Sequence, residues 1–308
     1  MTPAYHVPVL VEEVVDGLVI DPAGIYLDAT AGGGGHSRAI LAALGPEGRL
    51  IAVDRDPEAV AETGRALAGY GARVRVVQGE FAALRRTAEE AGVDAVHGIL
   101  FDLGVSSHQL DTPVRGFGFR EEGPLDMRMD PEVSEPAAAL IARADESELT
   151  RLLYDYGEER QARRIARSIC RLRLERPLET TADLRRAVER THPERLTKTL
   201  ARVFQALRIA VNDELTQLER GLQAATGLLL PGGRLAVIAY HSLEDRLVKR
   251  TLEPLVRGCV CPPGLPVCAC GRAPSFRRVN RRALHSRTDE VEANRRSRSA
   301  ALRLYERV

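Results

Sequence analysis

One stretch, Tyr26 to Asp56 (YLDATAGGGGHSRAILAALGPEGRLIAVDRD), restricts this 308-residue chain to a narrow set of folds. The apolar run Ile25-Tyr26-Leu27 ends in Asp28, and four consecutive glycines, Gly32 to Gly35, precede an apolar-periodic segment from Ile40 to Leu44. That order predicts a strand, a tight turn and a helix. A Gly-Pro-Glu-Gly turn then leads into a second apolar strand, Leu50 to Val53, which stops at Asp54. Glycines lack Cβ atoms, so the backbone can adopt unusual dihedrals and let a ligand approach the helix N-terminus closely. A carboxylate ending the next strand can accept two ribose hydroxyls. The stretch therefore predicts a cradle for a nucleoside-type cofactor. Gly32, Gly34 and Ser37 match G-x-G-x-x-G only with serine in the third glycine's place, which weakens a pyrophosphate reading.

The pattern repeats beyond the cradle. Pro57 is placed to open a helix over Glu58 to Leu67, Val74 to Val77 is a third strand, and Phe81 begins another helix. The Phe81 ring suits either an adenine face or the core. Ala95 to Phe101 is a fourth strand ending in Asp102, at the edge where ligands collect in an open α/β sheet. This βαβαβαβ alternation predicts an α/β fold with a doubly wound parallel sheet. The segment His6 to Leu18 opens extended, because the residue before Pro8 is excluded from helix, and then runs as a helix.

After Asp102 the alternation stops. Arg115 to Pro131 (RGFGFREEGPLDMRMDP) reads as a loop with Phe117 and Phe119 flanking Gly118, a candidate lid. From Pro136 to about Val211 every segment has helical period, which predicts an all-helical domain inserted into the sheet domain. The expected division is 1–112 and 211–308 for the sheet domain and 113–210 for an inserted, substrate-recognising one. The sheet resumes with a long helix Val211 to Leu229, a strand Arg234 to Ala239 leading into YHSLEDR (Tyr240 to Arg246), and a terminal hairpin from Phe276 to Val279 and Ala301 to Tyr305. Ser106, Ser107, Tyr240 and His241 follow two neighbouring strands and are candidates for a substrate pocket.

Charge is unevenly distributed. The net charge is +1, yet residues 1–150 carry 12 basic against 25 acidic side chains, 151–208 carry 15 against 8, and 272–308 carry 11 against 4. Two basic blocks on an acidic body suit a polyanionic partner. Arg160, Arg163, Arg164 and Arg167 fall at i, i+3, i+4 and i+7, which places them on one helical face, as phosphate binding or a solvated surface would both want. No run approaches membrane-spanning length and the start lacks a leader pattern, so a cytoplasmic protein is expected. Cys170 stands alone in a helix. Cys259, Cys261, Cys268 and Cys270 form two C-x-C pairs in a Pro/Gly loop, and four thiols at that density predict structural zinc over disulfides in a reducing compartment.

Several segments together carry a family resemblance: HVPVL, DATAGGGGHS, FDLGVSSHQLD, RGFGF with PLDMRMD, YGEERQARRIARSI, FQALRIAVNDEL and YHSLEDR. In order and wording they resemble the bacterial 16S ribosomal RNA (cytosine-N4) methyltransferases, the RsmH (MraW) family, over nearly the whole chain. The resemblance implies a class I S-adenosylmethionine (SAM) methyltransferase domain with an inserted helical domain, acting on a decoding-region cytosine in ribosomal RNA or in the small-subunit particle. It also implies cofactor contacts at Gly34, Gly35, His36, Asp54, Phe81, Asp102 and Gln109. Gly118 stands where serine is common in the family, and Leu200-Ala201 departs from a usual Pro-Ala-Thr. An exocyclic cytosine amine is a poor nucleophile, so a group accepting its hydrogens would help, and Asp102 ends the right strand to do so. Methylation of DNA or of a protein amide, an NAD-dependent oxidoreductase, and an RNA-binding assembly factor with a vestigial site remain open, as does the oligomeric state.

Overall fold

The computed structural model describes residues 8–133, 135–259, 261, 267 and 269–308. The extended start expected at His6 and Val7, and Cys268, lie outside the described residues. The chain divides into two compact units, one of Met1–Gly104 and Leu215–Val308, the other of Val105–Glu214. In chain order the strands are β1 Ile25–Asp28, β2 Arg49–Asp54, β3 Val74–Gln78, β4 Val96–Asp102, β5 Leu229–Ala239, β6 Phe276–Arg278 and β7 Ala301–Arg307. The helices are α1 Val11–Leu18, α2 Gly35–Ala43, α3 Pro57–Leu67, α4 Leu84–Glu90, α5 Ser107–Asp111, α6 Ala137–Arg143, α7 Glu146–Asp155, α8 Ala162–Glu175, α9 Thr181–Glu189, α10 Leu196–Asn212, α11 Glu214–Leu228, α12 Ser242–Arg257 and α13 Thr288–Ala293.

The first unit holds one sheet in the order β3-β2-β1-β4-β5-β7-β6. Its first five strands are parallel, and β7 runs antiparallel between β5 and β6. Strand residues alternate between two cores, which is why these strands are almost continuously apolar. Leu27, Ile51, Val53, Ile99, Phe101, Leu235 and Val237 pack with Leu84 of α4, Leu218 and Leu222 of α11, and Leu247 of α12. Tyr26, Leu50, Ala52, Leu100, Ala236 and Ile238 pack with Val14 and Leu18 of α1, Ile40 and Leu41 of α2, and Leu67 of α3. This is a Rossmann-like doubly wound sheet. In it, β1, β2, β4 and β5 finish along one edge, at Asp28, Asp54, Asp102 and Ala239.

The second unit is helical apart from short connections and the long segment between α5 and α6, with Leu149, Leu153, Ile165, Ile169, Leu184, Val203 and Leu207 in its core. Its boundaries fall at 104/105 and 214/215 instead of 112/113 and 210/211. Val105 and Leu110 pack against the helical core, and α10 continues to Asn212 before Asp213 turns left-handed with φ 48°. The single helix expected from Val211 to Leu229 is thus broken: Val211 and Asn212 end α10, Glu214–Leu228 form α11, and Leu229 opens β5. Helix α8 begins at Ala162, later than the sequence pattern suggested, so Arg160 precedes it. No described helix is long and apolar enough to cross a membrane.

The loop expected to be a lid is instead pinned within the second unit. Arg115 donates to the carbonyls of Arg128 (3.1 Å) and Met129 (3.3 Å), and Asn212, 1% exposed, takes up the rest. Its Oδ1 accepts from the Met129 N–H (2.8 Å) while its Nδ2 donates to the carbonyls of Met127 (2.8 Å) and Arg208 (2.9 Å). Replacing Asn212 with alanine leaves buried backbone groups without these partners, a loss of roughly 2–4 kcal/mol. Urea unfolding of Asn212→Ala should show that decrease; a change below about 0.5 kcal/mol would remove Asn212 as the pin.

Candidate active site

The site begins at the edge where the parallel strands end. Between β1 and α2 the chain turns through Gly32 (φ +54°) and Gly34 (φ +77°), left-handed positions that favour glycine. Asp54, at the end of β2, clamps this turn: Oδ2 accepts from the Gly32 N–H (2.8 Å) and Oδ1 from the Asp56 N–H (2.9 Å). Thr63 of α3 holds the same glycine from the other side, donating to the Gly32 carbonyl (2.8 Å). Burial lifts the Asp54 carboxyl to about 6, against the two N–H donors that lower it, with Asp56 and Asp28 adding to the rise. A carboxylate accepts about four hydrogen bonds, so two backbone donors leave it capacity for hydroxyl groups.

Three residues that the sequence reading did not assign to the site, Asp28, Thr30 and Ser37, build its floor. Asp28 is fully buried; its Oδ2 accepts from the Ser37 hydroxyl (2.7 Å) and its Oδ1 from the Thr30 N–H (3.1 Å). Burial pushes its carboxyl above the ordinary range, opposed by the Ser37 hydrogen bond. Thr30 Oγ1 in turn accepts from the Asp102 N–H at 2.6 Å, linking the ends of β1 and β4. Serine at the third glycine position of the motif therefore has a cause: its hydroxyl is the partner of a buried acid. The wording D-A-T…S was the signal available in the sequence.

Asp102 ends β4 with its side chain 8% exposed. Tyr240, just past β5, donates its hydroxyl to Asp102 Oδ1 at 2.9 Å. Burial and the Asp102 charge hold the Tyr240 phenol well above its usual range, so it is protonated at neutral pH. On the other oxygen, His36 Nδ1 lies 3.4 Å from Asp102 Oδ2. The His36 ring is buried, and its Nε2 faces the Val9 carbonyl at 2.9 Å. A carbonyl only accepts, so Nε2 carries a proton, and a neutral ring would then turn the Nδ1 lone pair toward the carboxylate. The arrangement is favourable when the pair holds a second proton, as imidazolium beside carboxylate. Burial disfavours the charged ring, but Asp102 and then Asp28 outweigh it and raise the His36 pKa.

The remaining expected residues are distributed as follows. Gly35 and His36 form the first turn of α2, whose leading N–H groups have no acceptor within the helix. Phe81 packs edge-to-face on Phe101, ring centroids 5.4 Å apart, so part of its ring belongs to the core. His241 is the N-cap of α12 in a capping box with Glu244, its Nδ1 facing the Glu244 N–H at 3.4 Å. Ser106, Ser107 and Gln109 lie in the second unit, where Ser106 and Gln109 form the capping box of α5. Phe117 is 4% exposed in that unit's core, and Phe119, half-buried, packs edge-to-face on Phe204 at 5.4 Å. Arg160, Arg163, Arg164 and Arg167 are all exposed, and Glu146 lies 3.3 Å from Arg167.

Comparison with known proteins follows the same contour. The family model described as the MraW methylase family matches residues 3–308. A Geobacter protein (strain M21) named ribosomal RNA small subunit methyltransferase H is 48% identical over 99% of both chains. A protein of the same name from Heliobacterium modesticaldum is 48% identical over 99% of both. Another from Symbiobacterium thermophilum is 47% identical over 97% of this chain and 95% of its own.

The His36–Asp102 pair makes a measurable prediction. A histidine whose folded pKa is raised contributes stability that is complete below the unfolded value of about 6.5 and is lost as pH rises through the folded value. Nitrogen-15 NMR should find His36 titrating above the ordinary range, and Asp102→Asn should lower its midpoint. An unshifted midpoint in both proteins would exclude the shared proton.

Proposed function

The chain belongs to the MraW methylase family, and on that footing we propose that it transfers a methyl group from SAM to the N4 amine of a cytosine in the decoding region of small-subunit ribosomal RNA. Its first unit has the Rossmann-like class I methyltransferase sheet. The relatives named as ribosomal RNA small subunit methyltransferases support an RNA substrate, and the basic 151–208 and 272–308 blocks suit a polyanion. This reading implies cytoplasmic work on the RNA or the small-subunit particle.

The observation that carries the reading is the Asp54 clamp on the glycine turn, with Asp102, Tyr240 and His36 at the neighbouring strand ends. The residues fit SAM: Asp54 offers acceptors for a ribose diol, the left-handed Gly32 and Gly34 shape the turn beside it, and the α2 N-terminus with Gly35 and His36 suits a carboxylate. When bound, SAM supplies an electrophilic methyl on a sulfonium. Asp102 accepts a hydrogen bond from the cytosine amine, turning its lone pair out of conjugation, and takes the proton once the nitrogen has become cationic. Tyr240 and His36 hold the two carboxylate oxygens in place. Methyl transfer itself needs no metal, so zinc in the cysteine loop would be structural. An oxidoreductase reading is less well served, because Ser37 is engaged by Asp28 and no third glycine admits a pyrophosphate.

The test is methyl transfer to unmodified small subunits and to naked RNA, with mass mapping of the product; methylation at a site other than a cytosine N4 would overturn the assignment. Asp102→Asn should reduce turnover by about 100-fold, a larger loss than any it causes in SAM affinity. Asp54→Ala should weaken SAM binding at least tenfold while the chain stays folded, and unchanged affinity would remove the clamp's role.

Asp54 also sets a pH dependence. With its carboxyl at about 6, the ionised form that accepts two hydroxyls grows in as pH rises, so SAM affinity should increase about tenfold from pH 5 to 7. The same shift acts oppositely on folding: the folded chain holds this proton more tightly than the unfolded one, and stability from this group falls between about pH 4 and 6. Calorimetric titration from about pH 5 to 7 checks the first trend, and Asp54→Asn should flatten it.

A further inference from the structure

We propose that Cys259, Cys261 and Cys270 form a structural zinc site that fastens the end of α12 to the chain returning toward β6. The three Sγ atoms lie within 4.8 Å of one another. Cys259 and Cys270 are 3.8 Å apart at sulfur, far beyond the disulfide bond length of about 2.0 Å. A tetrahedron with zinc–sulfur bonds of about 2.3 Å has sulfur–sulfur edges of about 3.8 Å, so this pair is already at the separation zinc requires. The Ala269 N–H points at Cys261 Sγ (3.4 Å), an amide-to-sulfur contact of the kind that stabilises a metal-bound thiolate.

The loop is closed at its neck without help from the sulfurs. Gly258 caps α12, its N–H donating to the Pro254 carbonyl (2.9 Å), and it has φ +68°. A Cβ at Gly258 would collide with the Ala273–Pro274 peptide, so glycine is what lets the two strands of the neck approach. One step inward, the Ser275 N–H donates to the Leu255 carbonyl at 3.0 Å. Backbone contacts thus carry Cys259 and Cys270 together before any metal binds, which lowers the ordering entropy that zinc must offset. Three thiolates leave one tetrahedral position for a further sulfur, carboxylate or water; Cys268, fourth in the spacing, lies outside the described residues. Arg257 and Arg272 flank the loop in sequence and suit the net negative charge of a zinc–thiolate centre.

The measurement is zinc content of untagged protein purified under reducing conditions, with methyl transfer playing no part, so the site stands or falls apart from the proposed activity. About one zinc per chain is expected, dropping below about one tenth in Cys259→Ser and Cys270→Ser and unchanged in Cys170→Ser. Cobalt added to metal-free protein should give the intense thiolate-to-cobalt charge-transfer band of a tetrahedral site. Zinc below one tenth per chain in the wild type after incubation with equimolar zinc would overturn the proposal, as would zinc that persists in both serine variants. Because the first result is read on the unaltered chain, misfolding of a variant does not rescue or sink the site.

Discussion

The strand-end edge that carries the candidate site depends on a carboxylate buried from solvent. Asp28 is buried at the end of β1, and a buried acid is tolerated only when its oxygens are hydrogen-bonded. Ser37 and the Thr30 amide meet that demand. The consequence reaches outward: Ser37 fixes the first turn of α2, and Thr30, once fixed, receives the amide of Asp102. One internal group therefore aligns the glycine turn with the end of β4, and the Asp54 clamp adds the end of β2. Preorganisation of this kind lets a site meet its ligand without reorganising first.

Much of the sheet unit was legible in the sequence because its signals are local. Apolar runs stopping at Asp28, Asp54 and Asp102, with helical periods between them, define a doubly wound sheet. The glycine turn and Asp54 were legible for the same reason: one residue type without Cβ and one acid at a strand end. What the sequence hid was partnership at a distance. His36 reads as a loop residue beside glycines, yet its ring lies between the Val9 carbonyl and Asp102, 66 positions later. Phe117 and Phe119 look like an exposed aromatic pair around Gly118, yet Phe117 is buried in the helical core and Phe119 packs on Phe204 of α10. The break at Asp213 is a single left-handed residue inside an otherwise helical pattern, and Asn212-Asp213, residue types that tolerate that conformation, are its only local signal.

Ser106 and His241 show a different ambiguity. Both follow a strand and both cap a helix through a partner three residues on, Gln109 and Glu244. S-x-x-Q and H-x-x-E are capping patterns as well as plausible pocket residues, so the spacing alone does not separate the roles. Tyr240, one position before His241, is the residue whose hydroxyl reaches Asp102. Adjacent positions in one short motif thus divide between holding the helix and holding the carboxylate.

The hydrogen bond from Tyr240 to Asp102 spans 138 positions of chain, with the entire helical unit encoded between its partners. On the ribosome, at about 5–20 residues per second, roughly 7–28 s separate the emergence of the two groups. The cradle strands β1, β2 and β3 precede that interval and the acid of β4 opens it, whereas β5 emerges at its very end and β7 after it. Every nascent chain thus carries the glycine-turn sequence and the strand-end acids before the phenol that hydrogen-bonds Asp102 exists. Synthesis itself orders the assembly of the site, and the last strand to arrive, β7, is the one that seals β5 into the sheet.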